Sequence, residues 1–258
     1  MFIMDSDKDF IYAPGGCIKQ SPPNFLETGK ECVRMEKVMV AWSGGKDSAL
    51  ALYKIQKEGF EISALLTTVT EKYNRISMHG VRRALLERQS HALGLPLEKV
   101  FIPPGTSNEV YEARMAAALA EYAKQGVTTV VFGDVFLEDI RAYRENQLSK
   151  IGLKAYFPLW KKQSLELAHE FVKLGFKAII TCVDSNVLDG SFAGRLFDKE
   201  FLSALPSTVD PCGENGEFHS FVYNGPNFVE QILFTVGKSV VRDNRFCFCD
   251  LIPRGKKS

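Results

Sequence analysis

A glycine-rich loop joins an apolar run to an Ala/Leu-rich segment and reads Ser43-Gly44-Gly45-Lys46-Asp47-Ser48. The apolar run Val38-Met39-Val40-Ala41-Trp42 is typical of a buried parallel strand, and the segment after the loop predicts a helix. Glycines let the backbone approach an anion, and the N–H groups at a helix start point at its charge. Lys46 adds a mobile cation, and Ser43 and Ser48 add hydroxyl donors. The loop, residues 43–48, is therefore predicted to bind phosphate and is called the phosphate loop below.

The order of residues in the phosphate loop excludes two common nucleotide-binding patterns. A kinase-type P-loop needs a glycine five residues before Gly45, where Val40 stands, and the dinucleotide pattern needs a third glycine that does not follow. The string instead resembles the pyrophosphate loop of the N-type ATP pyrophosphatases, the PP-loop superfamily. That resemblance implies that the loop holds the β- and γ-phosphates of ATP, with Lys46 and Asp47 at catalytic positions. The alternative is an ordinary turn in which Asp47 only complements the helix dipole.

A second unusual stretch, residues 210–220, reads Asp210-Pro211-Cys212-Gly213-Glu214-Asn215-Gly216-Glu217-Phe218-His219-Ser220. Its two glycines and its asparagine predict a tight turn, after which Glu217 and His219 alternate onto one face of a strand. A carboxylate beside an imidazole can act as an acid/base pair, clamp an amine or hold a hydrophilic substrate. A polar hairpin with a solvated face explains the same pattern equally well.

Together with the phosphate loop, the Gly-Glu-x-Gly-Glu-[Phe/Tyr] element is similar to the signature of the diphthine–ammonia ligase family within the ATP pyrophosphatases. Nearly the whole chain beyond residue 37 follows the layout of that family. The resemblance implies that ATP adenylylates a carboxylate, after which ammonia displaces AMP and an amide forms. It places Glu214, Asn215, Gly216, Glu217 and His219 on the acceptor side. We expect Glu217 to hold or deprotonate the ammonium and His219 to contact the acceptor's charge.

The 210–220 stretch also departs from the family pattern. Diphthine ligases tend to have Gly-Glu-Gly-Gly-Glu-Tyr-Glu-Thr, whereas this chain has His219 in place of an acid. This departure resembles the bacterial branch of the family, and bacteria do not make diphthamide. The resemblance therefore implies the activation chemistry more firmly than the substrate.

A third polar cluster, Gly133-Asp134, stands at the carboxyl end of a predicted strand and is followed by Glu138, Asp139 and Arg141. Asp134 is predicted to act in catalysis, by binding Mg²⁺ or positioning the acceptor, and Arg141 to bind substrate. Mg²⁺ is expected because it neutralises the departing pyrophosphate. Glu138 and Asp139 fit the acidic first turn of a helix equally well.

Another basic cluster follows the second predicted strand and contains Arg75, His79 and Arg82. These side chains could reach the phosphates of a nucleotide, and a solvated basic face explains them at least as well.

Strands and helices alternate from residue 37 to residue 181, which predicts an α/β fold with a doubly wound parallel sheet. In such sheets, ligands lie outside the carboxyl ends of the strands. Predicted helices cover residues 48–58, 79–93, 106–124 and 164–174, and predicted strands cover 61–69, 100–102, 128–132 and 177–181. After residue 184, alternating runs predict a smaller, mainly β unit. We expect an extension (1–36), an ATP-binding domain (37–185) and a substrate-side domain (186–258).

The composition restricts the class of protein. The chain has 258 residues and a net charge of +1, which gives no sign of a nucleic-acid or membrane surface. It has no long apolar run, no signal-peptide pattern at its acidic start and no C-x-x-C among its six cysteines, so a cytoplasmic location is expected. The expected partners are a small or protein-borne carboxylate acceptor and ammonia, and a homodimer is compatible with the sequence. The alternatives are a tRNA-modifying PP-loop enzyme and a nucleotide-binding regulator without turnover.

Overall fold

The computed structural model describes residues 26–28, 31–33, 35–71, 75–76 and 80–255. Strands β1 (Leu26–Thr28) and β2 (Glu31–Val33) pair antiparallel with each other. The chain from Met35 onward forms one compact unit. Residues 1–25, which make up most of the extension predicted at 1–36, lie outside the described residues.

The first sheet contains five parallel strands and one short antiparallel strand. They are β3 (Lys37–Ala41), β4 (Glu61–Thr70), β5 (Arg75–Ile76), β6 (Leu97–Ile102), β7 (Val127–Val131) and β8 (Lys154–Tyr156). The parallel strands lie in the order β6-β4-β3-β7-β8, and β5 pairs antiparallel with the end of β4. Because the strand order changes direction at β3, the predicted doubly wound parallel sheet is confirmed.

Six helices accompany the strands in the described residues. They are α1 (Lys46–Glu58), α2 (Arg83–Leu93), α3 (Asn108–Lys124), α4 (Glu138–Ser149), α5 (Ser164–Lys173) and α6 (Lys199–Ala204), with a 3₁₀ turn at Gly190–Phe192. Val38 and Val40 of β3 pack into a core that also contains the apolar faces of α1 and α2. Met39 points to the opposite core, which contains residues of α3 and α4. Helices therefore cover both faces of the parallel sheet.

Three predicted helix starts are wrong in detail. Helix α1 begins at Lys46, two residues before the predicted start at residue 48. Helix α2 begins at Arg83 and not at residue 79, because Arg82 is extended and forms a β-bridge with Arg75. His79 lies outside the described residues. Helix α3 begins after Ser107 and not at residue 106, because the hydroxyl of Thr106 donates to the carbonyl of Pro103 and does not cap the helix.

Helix α5 begins at Ser164, as predicted, and one of its faces is buried. Leu167, Ala168 and Phe171 are buried, whereas Leu165 is 52% exposed. The helix packs among the phenylalanines of the core, with Phe171 stacked on Phe176 at 4.8 Å between ring centroids. This aromatic packing sets the rotation of the helix about its axis.

The second sheet is antiparallel and has four strands. They are β9 (Lys177–Asp184), β10 (Phe218–Asn224), β11 (Phe234–Arg242) and β12 (Phe246–Pro253), in the order β10-β9-β12-β11. Asp243 and Asn244 join β11 to β12 with φ values of 51° and 48°, typical of a tight hairpin turn. The prediction that residues 177–181 form the fifth parallel strand is wrong, because β9 pairs antiparallel with β10 and β12. The three-residue strand β8 takes the fifth place.

The two sheets share a hydrophobic core, which includes Val38 of β3, Ile179 of β9 and Phe221 of β10. This shared core holds the amino end of α1 beside strand β10. The domain division at residue 185 stays a prediction. In the part of the chain that the structure describes, no helix combines the length and the apolar character needed to span a membrane.

Candidate active site

A cavity of about 590 Å³ lies at the carboxyl ends of β3, β4 and β7. Its walls come from the phosphate loop, from Thr67 and Thr68 of β4, and from Gly133 and Asp134 after β7. Residues of the 210–220 stretch form a further wall of the cavity: Cys212, Gly213, Glu214, Gly216, Phe218, His219 and Ser220. The structure thus brings the two unusual stretches of the sequence to one cavity.

Hydrogen bonds inside the phosphate loop set its shape. The hydroxyl oxygen of Ser43 accepts from the N–H of Gly45 at 3.2 Å and lies 3.1 Å from the hydroxyl of Ser48. The Ser48 hydroxyl also donates to the carbonyl of Gly45 at 3.0 Å. Gly44 has a φ of +77°, which favours glycine. The loop is therefore folded by its own hydroxyls and directs the start of α1 at the cavity.

The neighbouring strand end packs tightly on the start of α1. A Cβ atom on Gly133 would lie 2.8 Å from the carbonyl carbon of Asp47 and 2.9 Å from the nitrogen of Ser48. Only glycine leaves enough room there, so the dipeptide Gly133-Asp134 brings Asp134 close to the phosphate loop.

Lys46 of the phosphate loop contacts the 210–220 stretch and is only 4% exposed. Its ammonium donates to Asp47 Oδ2 at 2.7 Å and to the carbonyl oxygen of Cys212. It also lies 5.4 Å from the ring centroid of Phe218. Burial, the largest single effect, acts to lower the pKa of Lys46, but Asp47, Cys212 and Glu214 together outweigh it, so the net pKa is raised. Lys46 is therefore a charged group held at the junction.

A buried amide ties the phosphate loop to the second sheet. The Nε2 atom of Gln89 donates to the carbonyls of Gly44 at 2.9 Å and Val222 at 2.7 Å, and its Oε1 accepts from Trp42 Nε1 at 3.0 Å. Nearby, the N–H of Lys46 donates to the hydroxyl of Ser220 at 3.1 Å. Sequence analysis missed the role of Gln89, whose only signal is a polar side chain on the buried face of α2.

The 210–217 turn is held together by two carboxylates. Asp210 Oδ1 accepts from the N–H groups of Cys212 and Glu214. Glu217 accepts three hydrogen bonds, each 3.0 Å long, from the N–H of Asp210 and from the backbone and side chain of Asn215. Glu217 is 6% exposed, and neither Glu217 nor Asn215 lines the cavity. The geometry places these two residues within the turn itself.

Glu214 and His219 do face the cavity. Glu214 Oε1 accepts from the N–H of Val135 at 2.7 Å, and burial raises the pKa of Glu214 to about 7. Burial lowers the pKa of His219 to about 4, so its imidazole is neutral near neutral pH. The stretch thus presents one titratable carboxyl group and one uncharged imidazole to a ligand.

Asp134 lines the cavity and pairs with Arg144, whose Nε and Nη2 atoms lie 2.9 and 3.1 Å from its two carboxylate oxygens. The guanidinium of Arg144 also lies 4.3 Å from the ring centroid of Phe132. The predicted substrate residue Arg141 does not line the cavity; it donates to Glu145 at 2.7 Å. On α4, the structure brings Arg144 to the cavity in place of Arg141.

Several other charged candidates lie in ion pairs outside this cavity. Glu138 pairs with Lys161 at 3.2 Å. Arg75 and Arg82 both bind the carboxylate of Asp250. These contacts give the arginines a role between the first sheet and strand β12.

Comparison with known proteins gives consistent matches over most of the chain. The family model described as diphthamide synthase N-terminal domain matches residues 36–155, and that described as diphthamide synthase C-terminal domain matches residues 163–250. The diphthine–ammonia ligase of Schizosaccharomyces pombe is 26% identical over 83% of this chain and 38% of the relative. Those of Rattus norvegicus and Danio rerio are 25% and 24% identical, covering 80% and 78% of this chain and 85% and 88% of the relatives.

Proposed function

Since the chain belongs to the diphthine–ammonia ligase family of PP-loop ATP pyrophosphatases, we propose that it is an ATP-dependent ligase that amidates a carboxylate with ammonia. One observation supports this most strongly. The phosphate loop and the 210–220 stretch line the same cavity and are joined through Lys46, which donates from its backbone to Ser220 and from its ammonium to Cys212. A phosphate site and an acceptor wall in one cavity suit a reaction between a nucleotide and a second substrate.

ATP is proposed to bind through its phosphates at the phosphate loop. The hydroxyls of Ser43 and Ser48 and the ammonium of Lys46 are donors at the start of α1. With its terminal phosphates held there, the α-phosphate would face the carboxylate of the acceptor. Attack at that phosphorus would release pyrophosphate and leave a good leaving group on the carboxylate. The proposed products are therefore AMP, pyrophosphate and an amide.

Mg²⁺ is proposed to enter with ATP and to be held chiefly by the phosphates. Among the described residues, no group of three or more His, Cys, Asp or Glu side chains forms a metal cluster. Asp134 could supply one ligand, although in this structure both of its carboxylate oxygens face Arg144. A single carboxylate plus phosphates is an ordinary Mg²⁺ environment, and the ion would neutralise the pyrophosphate.

The acceptor is proposed to be diphthine or a carboxylate similar to it, because the relatives are named for diphthine and ammonia. Glu214, Gly216 and His219 are the residues of the predicted acceptor set that face the cavity. The neutral His219 can hydrogen-bond an acceptor without adding charge. The cytoplasmic location and the homodimer stay predictions.

Product analysis tests the proposal. The protein is incubated with ATP, Mg²⁺, ammonium and diphthine, and the nucleotides are separated by chromatography. Equal amounts of AMP and pyrophosphate, formed only when diphthine is present, are expected. ADP and phosphate would contradict attack at the α-phosphate, and bound ATP without turnover would favour a regulator.

A further inference from the structure

Three carboxylates line the cavity, and they differ in their partners. Asp47 is paired with Lys46 at 2.7 Å, and Asp134 is paired with Arg144 at 2.9 Å. The carboxylate of Glu214 forms no ion pair with any described residue, and among those residues its hydrogen bond comes from the backbone of Val135. Of these three carboxylates, Glu214 is therefore the one that is not ion-paired with a described side chain and that can pair with a cationic ligand.

The position of Glu214 is fixed from two sides. Its Oε1 is held by the N–H of Val135 at 2.7 Å, next to the end of β7. Its backbone belongs to the turn that Asp210 and Glu217 hold together, and its own N–H donates to Asp210. A carboxylate held in this way presents its second oxygen, Oε2, to the cavity without loss of further side-chain freedom.

We infer that Glu214 binds the ammonium substrate and takes a proton from it, a role that rests on the proposed function. Ammonium has no lone pair, so it cannot attack until one proton has moved to Glu214 Oε2. The lone pair of the resulting ammonia forms the new C–N bond at the activated acyl carbon. The C–O bond to the phosphate of AMP breaks, and its electron pair leaves with AMP. The surplus proton on nitrogen passes to solvent.

The other titratable groups that face this position are less suited to the task. Lys46 is cationic, Asp47 is neutralised by Lys46, and Asp134 is neutralised by Arg144. The pKa of His219 is lowered to about 4 by burial, which makes it a weak base. The pKa of Glu214 is raised to about 7, mainly by burial, so its carboxylate is a stronger base than an exposed one while still ionised at slightly alkaline pH.

Glu214→Gln tests the inference, with the exposed Glu121→Gln on α3 as the matched control. Each protein is assayed with ATP and diphthine, using either ammonium or hydroxylamine, which is mostly unprotonated near neutral pH. Glu214→Gln is expected to lose about 100-fold in kcat/KM for ammonium and to stay within about threefold for hydroxylamine. The control is expected to match the wild type with both. Calorimetric ATP binding reports whether each variant is folded. If Glu214→Gln does not bind ATP, Glu214→Asp replaces it; its shorter side chain withdraws the carboxylate, so activity should again fall with ammonium and not with hydroxylamine.

Equal losses with ammonium and hydroxylamine, or no loss with ammonium, would overturn the inference. If the wild type releases no pyrophosphate in response to diphthine, the proposed amidation of diphthine fails. The inference is then decided without an acceptor, by nuclear magnetic resonance of isotope-labelled ammonium. Line broadening by the wild type that Glu214→Gln abolishes supports it, and equal broadening by both proteins overturns it.

Discussion

Gln89→Met removes the buried amide that holds the phosphate loop while nearly keeping the volume of the side chain. Gln89 is 0% exposed and makes three hydrogen bonds, to Trp42, Gly44 and Val222. The indole N–H of Trp42 loses its partner inside the core, which costs about 1–3 kcal/mol. The two carbonyls each lose a bond worth about 0.5–1.5 kcal/mol, although Gly44 keeps the N–H of Val222 at 2.9 Å.

We therefore expect the free energy of unfolding to fall by about 2–6 kcal/mol, a large share of the stability of an ordinary domain. ATP affinity should fall as well, because Gly44 loses one of the bonds that set its position in the loop. Denaturant titration measures the first quantity and calorimetric ATP titration the second. Gln125→Met, at the exposed end of α3, is the matched control and should change stability by less than about 0.5 kcal/mol.

The result that refutes this reasoning is specific. If the free energy of unfolding decreases by less than about 1 kcal/mol and ATP affinity is unchanged, Gln89 does not support the loop. A fall in stability with unchanged ATP affinity would separate the core bond to Trp42 from the loop bond to Gly44.

Three further predictions concern the cavity and the turn beside it. Lys46→Ala and Asp47→Ala each remove one charge of an ion pair in the loop, so ATP affinity measured by calorimetry should fall; unchanged affinity in both would exclude the loop as the phosphate site. In Glu217→Gln the amide oxygen can still accept from Asp210 and from the side chain of Asn215, but the amide NH2 then faces the backbone N–H of Asn215; the free energy of unfolding should fall by about 1–3 kcal/mol, whereas an unaltered melting curve would argue against its role in the turn. With ammonium, the rate should rise as the pH increases through about 7, because Glu214 accepts a proton only when ionised; a rate that is flat across that range would contradict the assignment.

Much of the first sheet could be predicted because the determining signals are local. The apolar run of β3, the two glycines of the loop and the Ala/Leu-rich residues after Ser48 predict a strand, a loop and a helix. Gly59 ends α1 in the left-handed conformation, with a φ of +86°, as its sequence position indicates. Alternating strands and helices then predict the doubly wound order.

Strand β9 shows a feature that local sequence signals do not predict, the direction of its neighbouring strands. Its run of apolar residues predicts a buried strand, and it is one, but its pattern is the same for a parallel and an antiparallel neighbour. The choice depends on β10 and β12, which lie more than thirty residues further along the chain. The three-residue strand β8 is too short to show a periodic pattern, so the sequence does not identify it as the fifth parallel strand.

The candidate site divides in the same way. The residue types and spacing of the sequence by themselves predict a phosphate loop and a glycine-rich acidic turn, and the family resemblance adds the expectation that both serve one reaction. Only the tertiary structure decided that Glu214 reaches the cavity while Glu217 holds the turn, and that Arg144 lies there in place of Arg141. Side-chain direction in a turn and helix rotation about its axis are set by packing against distant residues, such as Val135 and Phe132, and sequence spacing does not carry that information.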